Sequence, residues 1–184
     1  MDVTLVPFDE PTLDALVAAA LADADPDEVT PPLGAGWTAE RLAWLRDHHL
    51  APRPHRETWA VVAGGAVVGA VRLTPVADPA ESPTRPDEMR NSQENGPAER
   101  STRPDEMRNS RVEVGMWLVR SARGRGVGAA ALRLALDLAA GRTVVAHTTV
   151  ANAAAVAALR RLGFVTSSGA EPGAVRAERA VPRA

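Results

Sequence analysis

Between residues 111 and 141 a β-type run, a glycine-rich turn and a helix-periodic stretch follow one another without a break, which commits the chain to an α/β architecture. Arg111 to Val119 reads as a strand, and Ser121 to Gly128 is the turn. From about Val127 to Ala140 the residues Leu132, Ala135, Leu136 and Ala139 share one helical face, Arg133 and Asp137 take the other, and Gly141 supplies the stop. The turn is written Arg123-Gly124-Arg125-Gly126-Val127-Gly128. Glycines there let the backbone approach a ligand, and the first N–H groups of the helix have no partner within it. With the helix dipole they make an anion site suited to a pyrophosphate. Arg123 and Arg125 add charge-assisted hydrogen bonds. The same letters also describe a tight turn that needs glycine for its own conformation. Two other nucleotide motifs do not fit. A P-loop needs Lys and then Ser or Thr where Ala129 and Ala130 stand, and a dinucleotide fingerprint needs GxGxxG, not GxGxG, with an acid after a next strand that here ends Thr148-Thr149-Val150.

The flanking sequence supplies the rest of a sheet with helices. Val3 to Phe8 predicts an edge strand, and Pro11 opens a helix to about Asp23 with Leu13, Leu16, Val17 and Ala20 on one face. Asp25 to Gly36, rich in Pro, Asp and Gly, predicts a loop. Thr38 caps a second helix over about Ala39 to His49, where Leu42, Leu45 and His49 share a face. Thr58 to Ala63 and Ala66 to Val76 form a hairpin about Gly64-Gly65. Arg142 to Val150 is a strand, Asn152 caps a helix ending at Leu162 and Gly163, and Phe164 to Ser167 and Ala174 to Val181 are two last strands. The order β-α-α-β-β-β-α-β-α-β-β predicts a mixed sheet in a single domain over residues 1–184.

Residues 77–110 break that pattern. They are polar and carry five prolines, and the segment TRPDEMRNS occurs at Thr84 to Ser92 and again at Thr102 to Ser110. Stacking repeats need an apolar face in each unit, and this one offers only Met89 and Met107. It reads as a tandem duplication within a surface loop. A docking segment or substrate lid is the functional alternative, and its excess of acids over Arg argues against a nucleic-acid partner. Closing a loop costs little more when the loop is longer. Deleting Gln93 to Ser110 is therefore expected to shift stability by about 1 kcal/mol or less, read from thermal melts.

Composition narrows the chemistry. The chain has 184 residues and no Cys, which excludes disulfides, cysteine-ligated metals and a cysteine acyl-enzyme. It has no Tyr, and all its strong cations are Arg. A net charge of -2 gives no general attraction to nucleic acid. Met1 to Glu10 does not read as a signal peptide, and no apolar run is long enough for a membrane span, so a cytoplasmic location and no membrane partner are expected. His48, His49 and His55 show no metal-ligand spacing, and no metal is expected.

The run VEVGMWLVRSARGRGVG, followed by a helix, a strand and NAAAVAALRRLGF, resembles the GNAT superfamily of N-acetyltransferases. The pattern Arg/Gln-x-x-Gly-x-Gly/Ala is met by Arg123, Gly126 and Gly128. The Asn that opens a helix ending Leu-Gly-Phe is met by Asn152, Leu162, Gly163 and Phe164. The match covers Arg111 to Phe164, and the N-terminal half agrees in element order. Gly115 to Leu118 is closest in wording to the branch that acetylates ribosomal-protein N-termini and small amines. The resemblance implies a GNAT-type mixed, mostly antiparallel sheet with helices on both faces, splayed between its two central strands. It implies acetyl-CoA as acyl donor and an amine as acceptor, either a small molecule or a peptide N-terminus.

It also implies roles for residues. The N–H groups of Arg125 to Gly128, in the turn that includes Gly124 and Val127, would hold the pyrophosphate. The backbone of Trp117, Leu118 and Val119 would pair with the pantetheine arm, and an N–H near Leu118 would steady the oxyanion. Asn152 would touch the pantetheine as well as capping its helix. A substrate ammonium must lose a proton. Glu113, just before the thioester position, is one candidate base, and its alternative is an exposed strand Glu. His147, where some family members carry a carboxylate base, is the other, and its alternative is a structural His. The usual acids are missing. The Tyr seven residues after the Asn is Leu159, and the Ser three residues after it is Ala155. A CoA thiolate resembles that of Cys and can leave without strong acid help. Trp37 and Trp44 are candidates for lining the acceptor pocket as well as for the core. A rival reading makes the chain an acyl-CoA-binding sensor or interaction module without turnover. The sequence is compatible with a homodimer and does not fix the oligomeric state.

Overall fold

The computed structural model describes residues 2–50, 57–76 and 111–183. Its strands are β1 (Val3–Pro7), β2 (Glu57–Ala63), β3 (Ala66–Val76), β4 (Arg111–Leu118), β5 (Thr143–Thr149), β6 (Val165–Ser168) and β7 (Ala174–Ala180). Its helices are α1 (Glu10–Asp23), α2 (Pro26–Val29), α3 (Ala39–Leu50), α4 (Val127–Leu138) and α5 (Ala153–Arg161). The seven strands form one sheet in the order β1-β2-β3-β4-β5-β7-β6, and only the β4–β5 pair is parallel. The duplicated segment, and His55 with it, lies outside the described residues.

The alternation of each strand assigns its faces. Val61, Val71, Leu73, Val112, Val114, Val144, Ala146 and Ala177 point to one side, where Val127, Ala131, Leu132, Ala135 and Leu136 of α4 and Leu159 of α5 close a core over them. On the other side Leu13, Leu16, Val17 and Ala20 of α1 and Leu45 of α3 pack against Ala70. Each fully buried Leu there contributes about 2 kcal/mol by leaving water. Helices thus cover both faces, as expected. The β2–β3 hairpin turns at Gly64 and Gly65, both at positive φ, which is the conformation a two-residue hairpin needs.

One sequence expectation is corrected. Asp25 to Gly36 is not loop throughout, because Pro26–Val29 forms a single helical turn. Asp25 caps it by accepting from the Asp27 N–H at 3.0 Å, and Pro26 occupies a first-turn position that needs no N–H. The loop after it is held by Arg41 of α3, which is only 1% exposed. Its guanidinium donates to the Gly34 carbonyl, to Thr30 Oγ1 at 2.8 Å and to Asp27 Oδ1 at 2.5 Å. A buried cation of this kind is tolerated because each guanidinium nitrogen finds an acceptor. Thr38 caps α3 as predicted, accepting from the Arg41 N–H at 3.2 Å.

Candidate active site

The two central strands part company within the sheet. β4 and β5 pair only at Arg111↔Thr143, Val112↔Val144 and Glu113↔Val145. Beyond that point β4 pairs with β3 as far as Leu118↔Gly69, and β5 pairs with β7 as far as Thr149↔Ala174. Among the described residues, the β4 edge that faces β5 has no strand partner from Val114 onward. It is a row of backbone donors and acceptors set along a wedge, open to an extended ligand arm.

The glycine turn stands at the end of β4. Gly124 and Gly126 adopt φ of +70° and +83°, and nothing lies within 4 Å of where a Cβ would be, so backbone conformation and not crowding requires glycine there. Gly126 is the N-cap of α4 with no side-chain cap bond, and the first bond back to it comes from the Ala130 N–H at 3.0 Å. The N–H groups before Ala130 therefore point out of the helix start, as an anion cradle requires. Arg125 is exposed beside them.

The cradle is tied to α1 and α2. Arg123 Nε donates to the Leu118 carbonyl at 2.9 Å, and its Nη2 meets Glu28 Oε2 at 2.5 Å. Arg120 meets Asp25 at 3.0 Å, and the Ser121 N–H donates to Asp23 Oδ2 at 2.7 Å. Arg123 is thus engaged in shaping the turn. Its hydrogen bond holds the Glu28 carboxyl below the ordinary value of 4.5, and the bonds from Ser121 hold Asp23 below 3.8. A lowered carboxyl stabilises the folded chain above its unfolded value and loses that contribution as pH falls through the folded one. The melting temperature of the wild type is therefore expected to drop as pH is lowered from about 5 toward 3. In Glu28→Gln it should be slightly lower at neutral pH and fall less steeply, by a few degrees at most because the pair is exposed.

On the α1–α3 side of the sheet, the wedge meets a cleft of about 260 Å³. Both candidate bases border it: Glu113, half-buried at the last β4–β5 pair, and His147, exposed on β5 past the point of divergence. Gly115, Met116 and Trp117 of β4 line the same cleft, with Trp44, His48 and His49 of α3, Arg72 of β3 and Glu28 of α2. Trp37 instead packs in the α1–α3 core, its Nε1 3.4 Å from the Ala24 carbonyl. Arg72, Glu28, His48 and His49 are not among the residues expected at this cleft from the sequence. A cation inside the apolar run of β3, and Trp44 and His48 four residues apart on a helix, were the available signals.

Asn152 caps α5 by accepting from the Ala155 N–H at 3.1 Å. Leu159 is 4% exposed within the main core, and Ala155 is half-buried. A larger depression of about 750 Å³ lies at the C-terminal ends of α4 and α5, bordered by Arg133, Arg161, Arg179 and Arg183. None of the candidate site residues borders it. Among the described residues no cluster of His, Asp or Glu has the makings of a metal site, and no helix is long and apolar enough to cross a membrane.

Residues 19–164 match the model of the acetyltransferase (GNAT) family. No curated protein matches the chain. Among solved structures, the GNAT domain of PAT from S. lividans is 18% identical with a TM-score of 0.60, covering 97% of this chain and 89% of that one. An acetyltransferase from Thermus thermophilus is 18% identical with a TM-score of 0.59, covering 98% of each chain. RimL, a ribosomal α-N-protein acetyltransferase solved in complex with coenzyme A, is 17% identical with a TM-score of 0.59, covering 97% and 94%. At these identities the likeness is one of fold.

Proposed function

The chain belongs to the acetyltransferase (GNAT) family, and from that premise we propose that it transfers the acetyl group of acetyl-CoA to an amine by direct attack in a ternary complex. The observation that carries the reading is the β4–β5 wedge. It opens at Glu113, has the glycine cradle at the end of β4, and meets a cleft bordered by both candidate bases. The turn fits a pyrophosphate, because its positive-φ glycines leave open space where side chains would stand and the helix start presents unpaired N–H groups.

In this reading the N–H groups of Arg125 to Gly128 bind the pyrophosphate, with Arg123 and Gly124 shaping the turn. The β4 edge that faces the wedge, with the Leu118 N–H near its end, orients the pantetheine arm beside Trp117. The Val119 N–H is held by the Val68 carbonyl at 2.9 Å and the Val119 carbonyl by the Ala122 N–H at 3.1 Å, so Val119 ends that edge and does not continue it. Asn152 borders the arm at the start of α5. Acetyl-CoA supplies the acyl carbon and departs as the thiol. Glu113 or His147, directly or through water, takes the proton that the ammonium must lose before its nitrogen can attack. A backbone N–H near Leu118 faces the oxygen that gains charge as the N–C bond forms. Leu159 and Ala155 offer no acid, so the departing thiolate takes its proton from water.

The test is thiol release from acetyl-CoA across a panel of amines, with coenzyme A binding measured in parallel. Amine-dependent release is the expected result. Tight binding with no release from any amine would overturn the reading in favour of an acyl-CoA sensor.

A further inference from the structure

Arg72 stands apart from the other half-buried arginines. Arg46, Arg111, Arg142 and Arg176 each meet a carboxylate, and Arg179 donates to the Leu162 carbonyl. Arg72 has no carboxylate partner among the described residues. Its one hydrogen bond there runs from Nη1 to His48 Nε2 at 2.6 Å. A guanidinium only donates, so His48 accepts with that nitrogen, and its ring is stacked on Trp44 with centroids 4.2 Å apart. Arg72 is paired across the sheet with Gly115, and a Cβ at Gly115 would stand 2.9 Å from Arg72 Nε. The missing side chain at Gly115 is the space the guanidinium occupies. The arginine is thereby laid along the cleft floor, with Nε and its second Nη engaged by no protein acceptor among the described residues.

Fixed from both sides at the border of a cleft, with two nitrogens that no described protein acceptor engages, this guanidinium can take a carboxylate in bidentate fashion. Glu113 stands on the same face of the sheet, opposite Thr74, the second residue after Arg72. Diagonal neighbours of this kind lie about 7–8 Å apart, which leaves room for a small ligand between them. Glu28 is already met by Arg123, which leaves Arg72 as the one fixed cation of the cleft beside Glu113. That balance suits an acceptor with one ammonium and one carboxylate and works against a phosphate dianion.

We propose that the acceptor is a free α-amino acid or a close analogue, with its carboxylate on Arg72 and its amino group toward Glu113 and His147. This rests on the acyl-transfer reading and narrows its acceptor. The amine forms the N–C bond as the C–S bond breaks, its proton passes to the base, and the thiolate takes one from water. The N-terminus of a polypeptide carries an amide where this site holds a carboxylate, and is excluded as the preferred substrate.

The experiment compares free amino acids with their carboxamides and with the decarboxylated amines, reading kcat/KM by thiol release. In the wild type the acids should be favoured by between about tenfold and a hundredfold, the range of a hydrogen bond to a charged group. Arg72→Met should abolish that preference by slowing the acids alone, with coenzyme A affinity unchanged, and Arg72→Lys should retain part of it. Wild-type protein that acetylates amides or decarboxylated amines as fast as the acids overturns the proposal and leaves acyl transfer standing, and this arm needs no variant to fold. A preference that survives in folded Arg72→Met also overturns it. If no amine is acetylated although coenzyme A binds, the acyl-transfer reading fails and the acceptor assignment fails with it.

Discussion

Gly128→Glu should leave the chain folded and weaken coenzyme A binding by at least about a thousandfold. Position 128 is the second residue of α4, inside the set of N–H groups that have no partner within the helix. In the proposed site a carboxylate there would occupy the place of the ligand's phosphates and repel them, against an attraction that comes from the helix start and the exposed Arg125. Folding should survive because a Cβ at Gly128 would meet Met116 Cε at 3.4 Å and Leu118 Cδ1 at 3.5 Å, ordinary contact distances. Gly126→Glu should lose binding as well, but at φ +83° it forces a side chain into left-handed backbone at a cost of about 1–2 kcal/mol. Position 128 is therefore the cleaner test. Calorimetric titration with coenzyme A, beside circular dichroism of the same samples, decides it. A folded Gly128→Glu protein with wild-type affinity would remove the glycine turn as the cofactor site.

Much of this architecture is legible in the sequence because its signals are local. The Gly64-Gly65 hairpin, the Thr38 and Asn152 caps and the apolar stripe of α4 each follow from neighbouring letters, and each element forms within a residue or two of its predicted bounds. The short α2 helix was hidden by composition, since proline and acids that suggest a loop also suit a first helical turn. The wedge is a different matter. Nothing in the letters of β4 or β5 says that pairing stops at Glu113, because register depends on partners distant in the chain. That expectation came from the family resemblance. Arg72 was hidden for the same reason. Its role depends on Gly115 across the sheet and His48 on a helix, and no window of sequence holds all three.

The same limit applies to the base, because Glu113 and His147 reach one cleft from two strands that no longer pair beside it. We expect one of Glu113→Gln and His147→Gln to lower kcat/KM by at least two orders of magnitude while leaving coenzyme A affinity intact. General-base catalysis is typically worth about 10²–10⁴-fold. Position bears on both residues. Glu113 is half-buried on the strand that carries the free edge, level with the opening of the wedge. His147 is exposed, two residues past the last position at which β5 pairs with β4, and borders the same cleft from β5. The pH profile separates them, since a base works only when deprotonated. If His147 is the base, His147→Gln would remove its limb of the kcat/KM profile and Glu113→Gln would leave that limb in place. If Glu113 is the base, the profile persists in His147→Gln and the loss appears in Glu113→Gln. Restoring the missing acid is a poor control. Leu159 is packed in the core, and Leu159→Tyr would overfill it before a phenol reached the thiolate. Full activity in both Gln variants would mean that neither side chain is the base. The cleft would then act by positioning amines that arrive already neutral.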